Sequence, residues 1–264
     1  DFTVFRGTRR FFSESHVGMI YTRRSTREGQ VVDPTVVAGP ALQTIGFDIS
    51  LETRRFLGNK NLSFNSHYIA ATNPDDTGKN GRYGADLNYF NDTWSGRLGL
   101  TETQANFNPA LGFVNRRGIK EYNSFVRFAP RPENHPLIRQ FQWSLGFNQI
   151  SDSRNVMFSQ RLDFNLGQVN FHSGDNFSFR IRLEFERLDD DFEMGPNDSI
   201  VLAAGNQYRF NNYQFNWGMS DQRPIALGGQ FRWGDYFSGT RRDFEPRLSI
   251  RPRTGLVINL SNEW

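Results

Sequence analysis

The sequence predicts an all-β fold, an antiparallel up-and-down β-barrel of the outer-membrane kind, and three observations predict it. Long segments alternate apolar and polar residues, the connections between them alternate short and long, and aromatic residues gather near the segment ends. The stretch NFSFRIRLEFER, residues 176–187, carries the first observation most plainly. Phe177, Phe179, Ile181, Leu183 and Phe185 share one parity; Ser178, Arg180, Arg182, Glu184 and Glu186 share the other. A strand has a side-chain period of two, so these sets lie on opposite faces of a sheet. In a soluble sandwich the apolar set meets a second sheet. In a membrane barrel it meets lipid, and Arg180, Arg182, Glu184 and Glu186 face a wet lumen where opposite charges pair across neighbouring strands.

Taken in order, the alternating segments predict about fourteen strands, at 2–11, 16–25, 44–55, 61–72, 82–90, 93–103, 119–129, 138–149, 158–172, 177–187, 207–219, 225–235, 240–250 and 255–264. Many are about ten residues long, enough for a tilted strand to cross a bilayer, whereas strands of soluble sheets run to about five or six. The connection TREGQVVDPTVVAGPALQ separates the second strand from the third, and NPDDTGKNG separates the fourth from the fifth. Asp75 and Asp76 in the latter read as Asx and Gly turn chemistry. Only Asn91 and Asp92 part the fifth strand from the sixth, whereas QANFNPALGFVNRRG follows the sixth. HSGDN joins the ninth to the tenth, LDDDFEMGPNDSIVLAAGN follows the tenth, and RPRTG leads into the last. Outer-membrane barrels pair short periplasmic turns with longer extracellular loops, while a sandwich has no reason to gather its long loops at one end. APRPENHP is long for such a turn and YFSG short for such a loop.

Tyr89, Phe90, Trp94, Trp143, Trp217, Trp233, Tyr236, Phe237 and Trp264 lie near strand ends. Amphipathic rings favour the lipid–water interface there, although the ends of a sandwich core would also take them. No stretch approaches the roughly 20 apolar residues of a membrane-spanning helix. A barrel reads as polar on average because only alternate residues face lipid. There are no cysteines, which excludes a disulfide scaffold, a thiolate metal site and a cysteine nucleophile. The net charge is +3, from 31 basic and 28 acidic residues mixed within strands, so no basic stripe follows a nucleic-acid backbone.

The chain reads as a single barrel domain over 1–264, and orientation predicts that wall strands are missing from it. With short connections periplasmic, the first strand starts outside and the fourteenth ends outside. Bacterial barrels have even strand numbers and keep both termini in the periplasm, so the expected parent has about sixteen strands or more. Against this, LVINLSNEW puts Leu256, Ile258, Leu260 and Trp264 on one face, in the manner of a barrel's terminal assembly signal, with Asn262 breaking the pattern.

Several stretches resemble a family of bacterial domains of unknown function, predicted outer-membrane barrels that follow an N-terminal carbohydrate-binding module of the family-9-like kind. They are DFTVFRGTRR with SHVGMIYTRR, NPALGFVNRRGIKEYNSFVRFAPRP from Asn108 to Pro132, YRFNNYQFNWGMSD from Tyr208, and WGDYFSGTRRDF from Trp233 to Phe244. Gly112-Phe113-Val114 followed by Arg116-Arg117-Gly118 is the most specific element, with Asn115 where the family carries Pro. The resemblance implies an outer-membrane location and a barrel that continues beyond both ends of this chain. The carbohydrate module is absent here, so the resemblance assigns neither sugar binding nor catalysis to any residue.

Candidate sites are few. Asp189, Asp190, Asp191, Glu193 and Asp198 form an acidic loop that could hold Ca²⁺ through carboxylate oxygens, or simply be a solvated extracellular loop. Arg116, Arg117 and Lys120 form a basic cluster, either on a loop folded into the lumen, where the cations meet the wall or an anionic ligand, or at a solvated loop end. His16, His67, His135 and His172 are scattered and lack metal-ligand spacing. No GxSxG elbow, phosphate loop or dinucleotide fingerprint occurs, and Glu184 and Glu186 each have an arginine neighbour, which argues against a raised-pKa acid. The expectation is therefore an outer-membrane channel, transporter or surface anchor with lipid as partner, an oligosaccharide as a further candidate partner, no cofactor and no catalysis. The alternatives are a soluble all-β carbohydrate-binding or carbohydrate-active domain and a β-rich enzyme with a loop-built active site.

Overall fold

The computed structural model describes residues 1–25, 41–72, 78–194 and 200–263, and there is no helix among them. Fourteen strands form one antiparallel sheet in chain order: β1 (Phe2–Phe11), β2 (Ser15–Arg24), β3 (Leu42–Phe56), β4 (Lys60–Thr72), β5 (Gly81–Phe90), β6 (Trp94–Thr103), β7 (Ile119–Phe128), β8 (Ile138–Asp152), β9 (Met157–Phe171), β10 (Asn176–Arg187), β13 (Gln207–Gly218), β14 (Ile225–Tyr236), β15 (Gly239–Arg253) and β16 (Leu256–Ser261). The order is open, with β1 and β16 as its two edges. Between β10 and β13 the chain makes a separate hairpin of β11 (Phe192–Met194) and β12 (Ile200–Leu202). The sequence predicts a loop there. The short apolar run Ile200–Leu202 pairs with Phe192–Met194 in an antiparallel ladder three residues long.

All fourteen expected strands are present. β8 and β15 run three residues past their expected ends, to Asp152, whose N–H donates to Val156 O, and to Arg253, which pairs with Leu256. β16 ends at Ser261, and Trp264 lies outside the described residues. Most of the TREGQVVDPTVVAGPALQ connection, with Asp75, Asp76 and Asp198, lies outside them as well.

The chain divides into two compact units. In the first, Asp1–Asn91 with Arg97–Asn123 and Ile150–Val156, register places Val17, Phe47, Phe64 and Leu87 on one face of the sheet. These side chains are exposed; Phe47 keeps 51% of its surface. The opposite face holds Asp48, His67 and Asp86. Arg6 of β1 reaches Asp48 of β3 across the intervening strand, a bidentate ion pair whose second bond is 3.0 Å long. Gly18 of β2 makes that crossing possible, because a Cβ there would lie 2.5 Å from the Arg6 guanidinium and 2.6 Å from the Asp48 carboxylate.

In the second unit, Asp92–Gly96, Ser124–Gln149 and Met157–Trp264, the apolar face is aromatic. Register brings Phe177 opposite Trp217, Phe179 opposite Phe215, and Phe231 opposite both Phe215 and Phe244. Rings stack along it, including Phe215 on Trp217 (5.8 Å), Tyr213 on Trp233 (5.5 Å) and Phe231 on Trp233 (5.1 Å). The rings therefore continue through the middle of the strands and do not stop at belts near their ends. Cross-strand aromatic pairs are a main source of sheet stability, each contributing about 0.2–1 kcal/mol.

A conventional hydrophobic core is small. Among the described residues nine hydrophobic side chains are buried, four of them alanines, while forty-one large hydrophobic ones are exposed. The sheet is held by its ladders and by the polar contacts of its other face.

Candidate functional site

The candidate site is the polar face of the second unit, built by alternate residues of β9, β10, β13, β14 and β15. Register aligns Asn165, Arg180, Gln214, Arg232 and Asp243 in one row across these five strands. Neutral side chains knit the row together. Gln214 Nε2 donates to Gln230 Oε1 (2.7 Å) and to Asn216 Oδ1 (2.8 Å); Asn216 Nδ2 donates to Ser178 Oγ (3.1 Å), and Gln230 Nε2 to Glu245 Oε1 (3.2 Å).

The charges are organised around two aspartates. Asp163 of β9 accepts Arg182 Nε at 2.7 Å and lies 3.3 Å from Arg161 Nε. Asp243 of β15 accepts Arg241 Nε at 2.7 Å and Arg232 Nη1 at 3.3 Å. Of the four charges expected on this face, Arg182 is thus paired across strands, and Glu184 accepts Asn212 Nδ2 at 3.2 Å. Glu186 is exposed near the strand end and is engaged there. Arg180 makes no hydrogen bond or ion pair among the described residues.

The other expected sites do not assemble. Arg117 donates to Asn108 Oδ1 (3.1 Å), Lys120 Nζ donates to Ser153 O (3.2 Å) and Asn155 Oδ1 (2.9 Å), and Arg116 is also engaged. Arg117 and Lys120 therefore hold separate local acceptors. The loop that carries Arg116 and Arg117, residues 104–118, does fold onto the sheet's polar side: the Ala110 N–H donates to Thr44 Oγ1 at 2.7 Å, and both Ala110 and Phe107 are buried. In the acidic segment Asp191 Oδ1 accepts the Ala204 N–H at 2.8 Å, while Asp190 and Glu193 point to solvent and Asp189 is engaged. No three acidic or histidine side chains converge among the described residues, and Asp198, the fifth residue of the acidic loop, lies outside them. His16 lies 3.8 Å from Asp48, and His135 Nδ1 accepts the Ile138 N–H at 2.9 Å.

Sequence reasoning missed two features. Asp163 and Asp243 could not be matched to Arg182 and Arg232, because pairing depends on register. The second is a latch between two turns: Asp175 accepts the Ser220 N–H (2.8 Å), the Ser173 hydroxyl (2.8 Å) and Arg223 Nη2 (2.6 Å). The Ser220 backbone bond, then the Ser173 hydroxyl and the Arg223 guanidinium, hold the Asp175 carboxyl below its ordinary value.

No family model, curated protein or solved structure matches the chain.

Proposed function

We propose that the chain forms wall strands of an outer-membrane β-barrel, a channel, transporter or surface anchor with no catalytic role. The observation that carries this reading is the two-sided sheet: one face leaves large apolar and aromatic side chains exposed strand after strand, and the other binds its charges to one another. In water such an apolar face would be a severe liability, whereas lipid satisfies it and leaves the charged face to a wet interior. The only other sheet among the described residues is the β11–β12 hairpin, too small to cover that face. The sequence resemblance agrees with this reading and links it to carbohydrate uptake or binding through a separate module.

A soluble all-β sugar-binding domain is the second reading, favoured by the exposed rings Phe215 and Phe244 that flank Trp217. Fractionation of the native cell, with gel mobility compared before and after boiling, separates the two. Enrichment in the outer membrane with a mobility shift on boiling is expected; a soluble periplasmic protein without a shift overturns the barrel.

A further inference from the structure

The geometry points to the arginine row on the polar face of β9–β15 as a binding site for oxyanions, so that the solutes this wall handles carry phosphate or carboxylate groups. This rests on the reading of that face as the wet one. Three observations carry it.

Each aspartate serves two guanidiniums, Asp163 those of Arg161 and Arg182, Asp243 those of Arg232 and Arg241. The carboxylates are also the recessed partners. Asp163 and Asp243 side chains are 25% and 9% exposed, while their four arginines range from 29% to 46%. A solute approaching this face meets N–H donors before it meets carboxylate oxygens. Arg182 and Arg241 reach their aspartates through Nε, which leaves the terminal nitrogens of a five-donor group for another acceptor.

Arg180 is the third observation. It sits in register with Gln214, which is in register with Arg232, so two cations flank a neutral amide at a backbone separation of about 9–10 Å, two strand spacings. Among the described residues Arg180 has no hydrogen-bond or ion-pair partner, and Arg232 keeps a buried Nε without an acceptor. The acidic side chains facing this row from neighbouring positions are already committed, Glu184 to Asn212 and Glu245 to Gln230. Guanidiniums spaced in this way suit a group with two or more anionic oxygens, because each planar fork matches an oxyanion bidentately.

The test is calorimetric titration of pyrophosphate into the full chain, in detergent and in detergent-free buffer. Saturable binding is expected, weakened roughly tenfold by Arg180→Gln, the loss of one charge-assisted hydrogen bond. Arg180→Lys keeps part of the affinity, and Arg55→Gln near the end of β3, which removes the same charge elsewhere, leaves binding unchanged. Arg180 has no partner to lose among the described residues, so these variants are expected to fold as the parent does. Absence of binding to the parent chain, equal binding by Arg180→Gln, or an equal loss in Arg55→Gln overturns the assignment. Detergent dependence is scored separately: a chain that stays monomeric in plain buffer yet binds pyrophosphate removes the membrane reading and keeps the arginine site, and the reverse result does the opposite.

Discussion

Asp175 shows how much one side chain does where strands end. Its carboxylate ties the HSGDN turn between β9 and β10 to the turn after β13, through the Ser220 N–H, the Ser173 hydroxyl and Arg223. Those contacts favour the ionised form, so the folded carboxyl titrates below its unfolded counterpart. Its stabilisation is therefore complete above the unfolded carboxylate pKa of about 3.9 and is lost as pH falls through the lower folded value. Asp175→Asn is expected to lower the unfolding midpoint at pH 7, and the two proteins should converge as pH drops below about 4; urea titrations across that range check it. Equal midpoints at pH 7 would show that the latch contributes nothing. The alternation of 176–187 made Arg182 legible as a polar-face residue, yet its partner was not. Asp163 is separated from Arg182 by the β9–β10 turn and by a register shift at Phe179 and Arg180, and a slip of one residue there would turn Asp163 to the apolar face. Patterning assigns a face; partners follow only from register.

Among the elements, the connection between β6 and β7 is the informative one. Residues 104–118 carry the most specific resemblance in the sequence, and their basic end drew attention as a candidate ligand site. The segment is instead anchored by its uncharged residues. Ala110 N–H donates to Thr44 Oγ1, Asn106 N–H to Lys79 O at 2.9 Å, and the Gln104 side chain accepts the Gly81 N–H at 2.8 Å. Composition cannot disclose this, because a Phe between two Asn and an Ala after Pro look like any loop until a strand offers the Ala N–H a hydroxyl. Thr44→Val keeps the shape and removes the acceptor, leaving the buried Ala110 N–H unsatisfied at about 1–3 kcal/mol. Local opening is then easier, so tryptic cleavage after Arg116 and Arg117 is expected to accelerate while the global midpoint moves less. Unchanged cleavage would mean that burial of Phe107, and not the hydrogen bond, pins the loop. The strands themselves were readable to within about three residues, since long period-two segments are the strongest local signal a sequence carries. The β11–β12 hairpin was not, because three-residue strands carry too little pattern.

At the scale of the whole molecule, two adjacent facts pull in one direction: the sheet is open from β1 to β16, and its aromatic face has no covering layer among the described residues. Closure of a barrel is a property of strands meeting end to end around a ring, and alternation within a strand carries no information about it. What alternation does carry is the difference in solvent between the faces, and that difference is measurable. Phe231 lies midway along β14, flanked in register by Phe215 and Phe244, on the face proposed to meet lipid. Gln168 lies on β9 in register with Ser178, on the face proposed to meet water. An arginine near the bilayer midplane costs about 2–4 kcal/mol, whereas one in a wet lumen costs little, within about 0.5 kcal/mol for a substitution away from buried partners. Phe231→Arg should therefore lower stability in lipid vesicles by about 2–4 kcal/mol and Gln168→Arg hardly at all, as read from urea unfolding in each case. If the face were exposed to water, the ordering would vanish, because Phe231→Arg would remove an exposed ring and improve solubility. If a protein layer covered it, Phe231→Arg would destabilise the chain in detergent-free buffer as strongly as in vesicles. Only lipid contact makes the penalty depend on the bilayer.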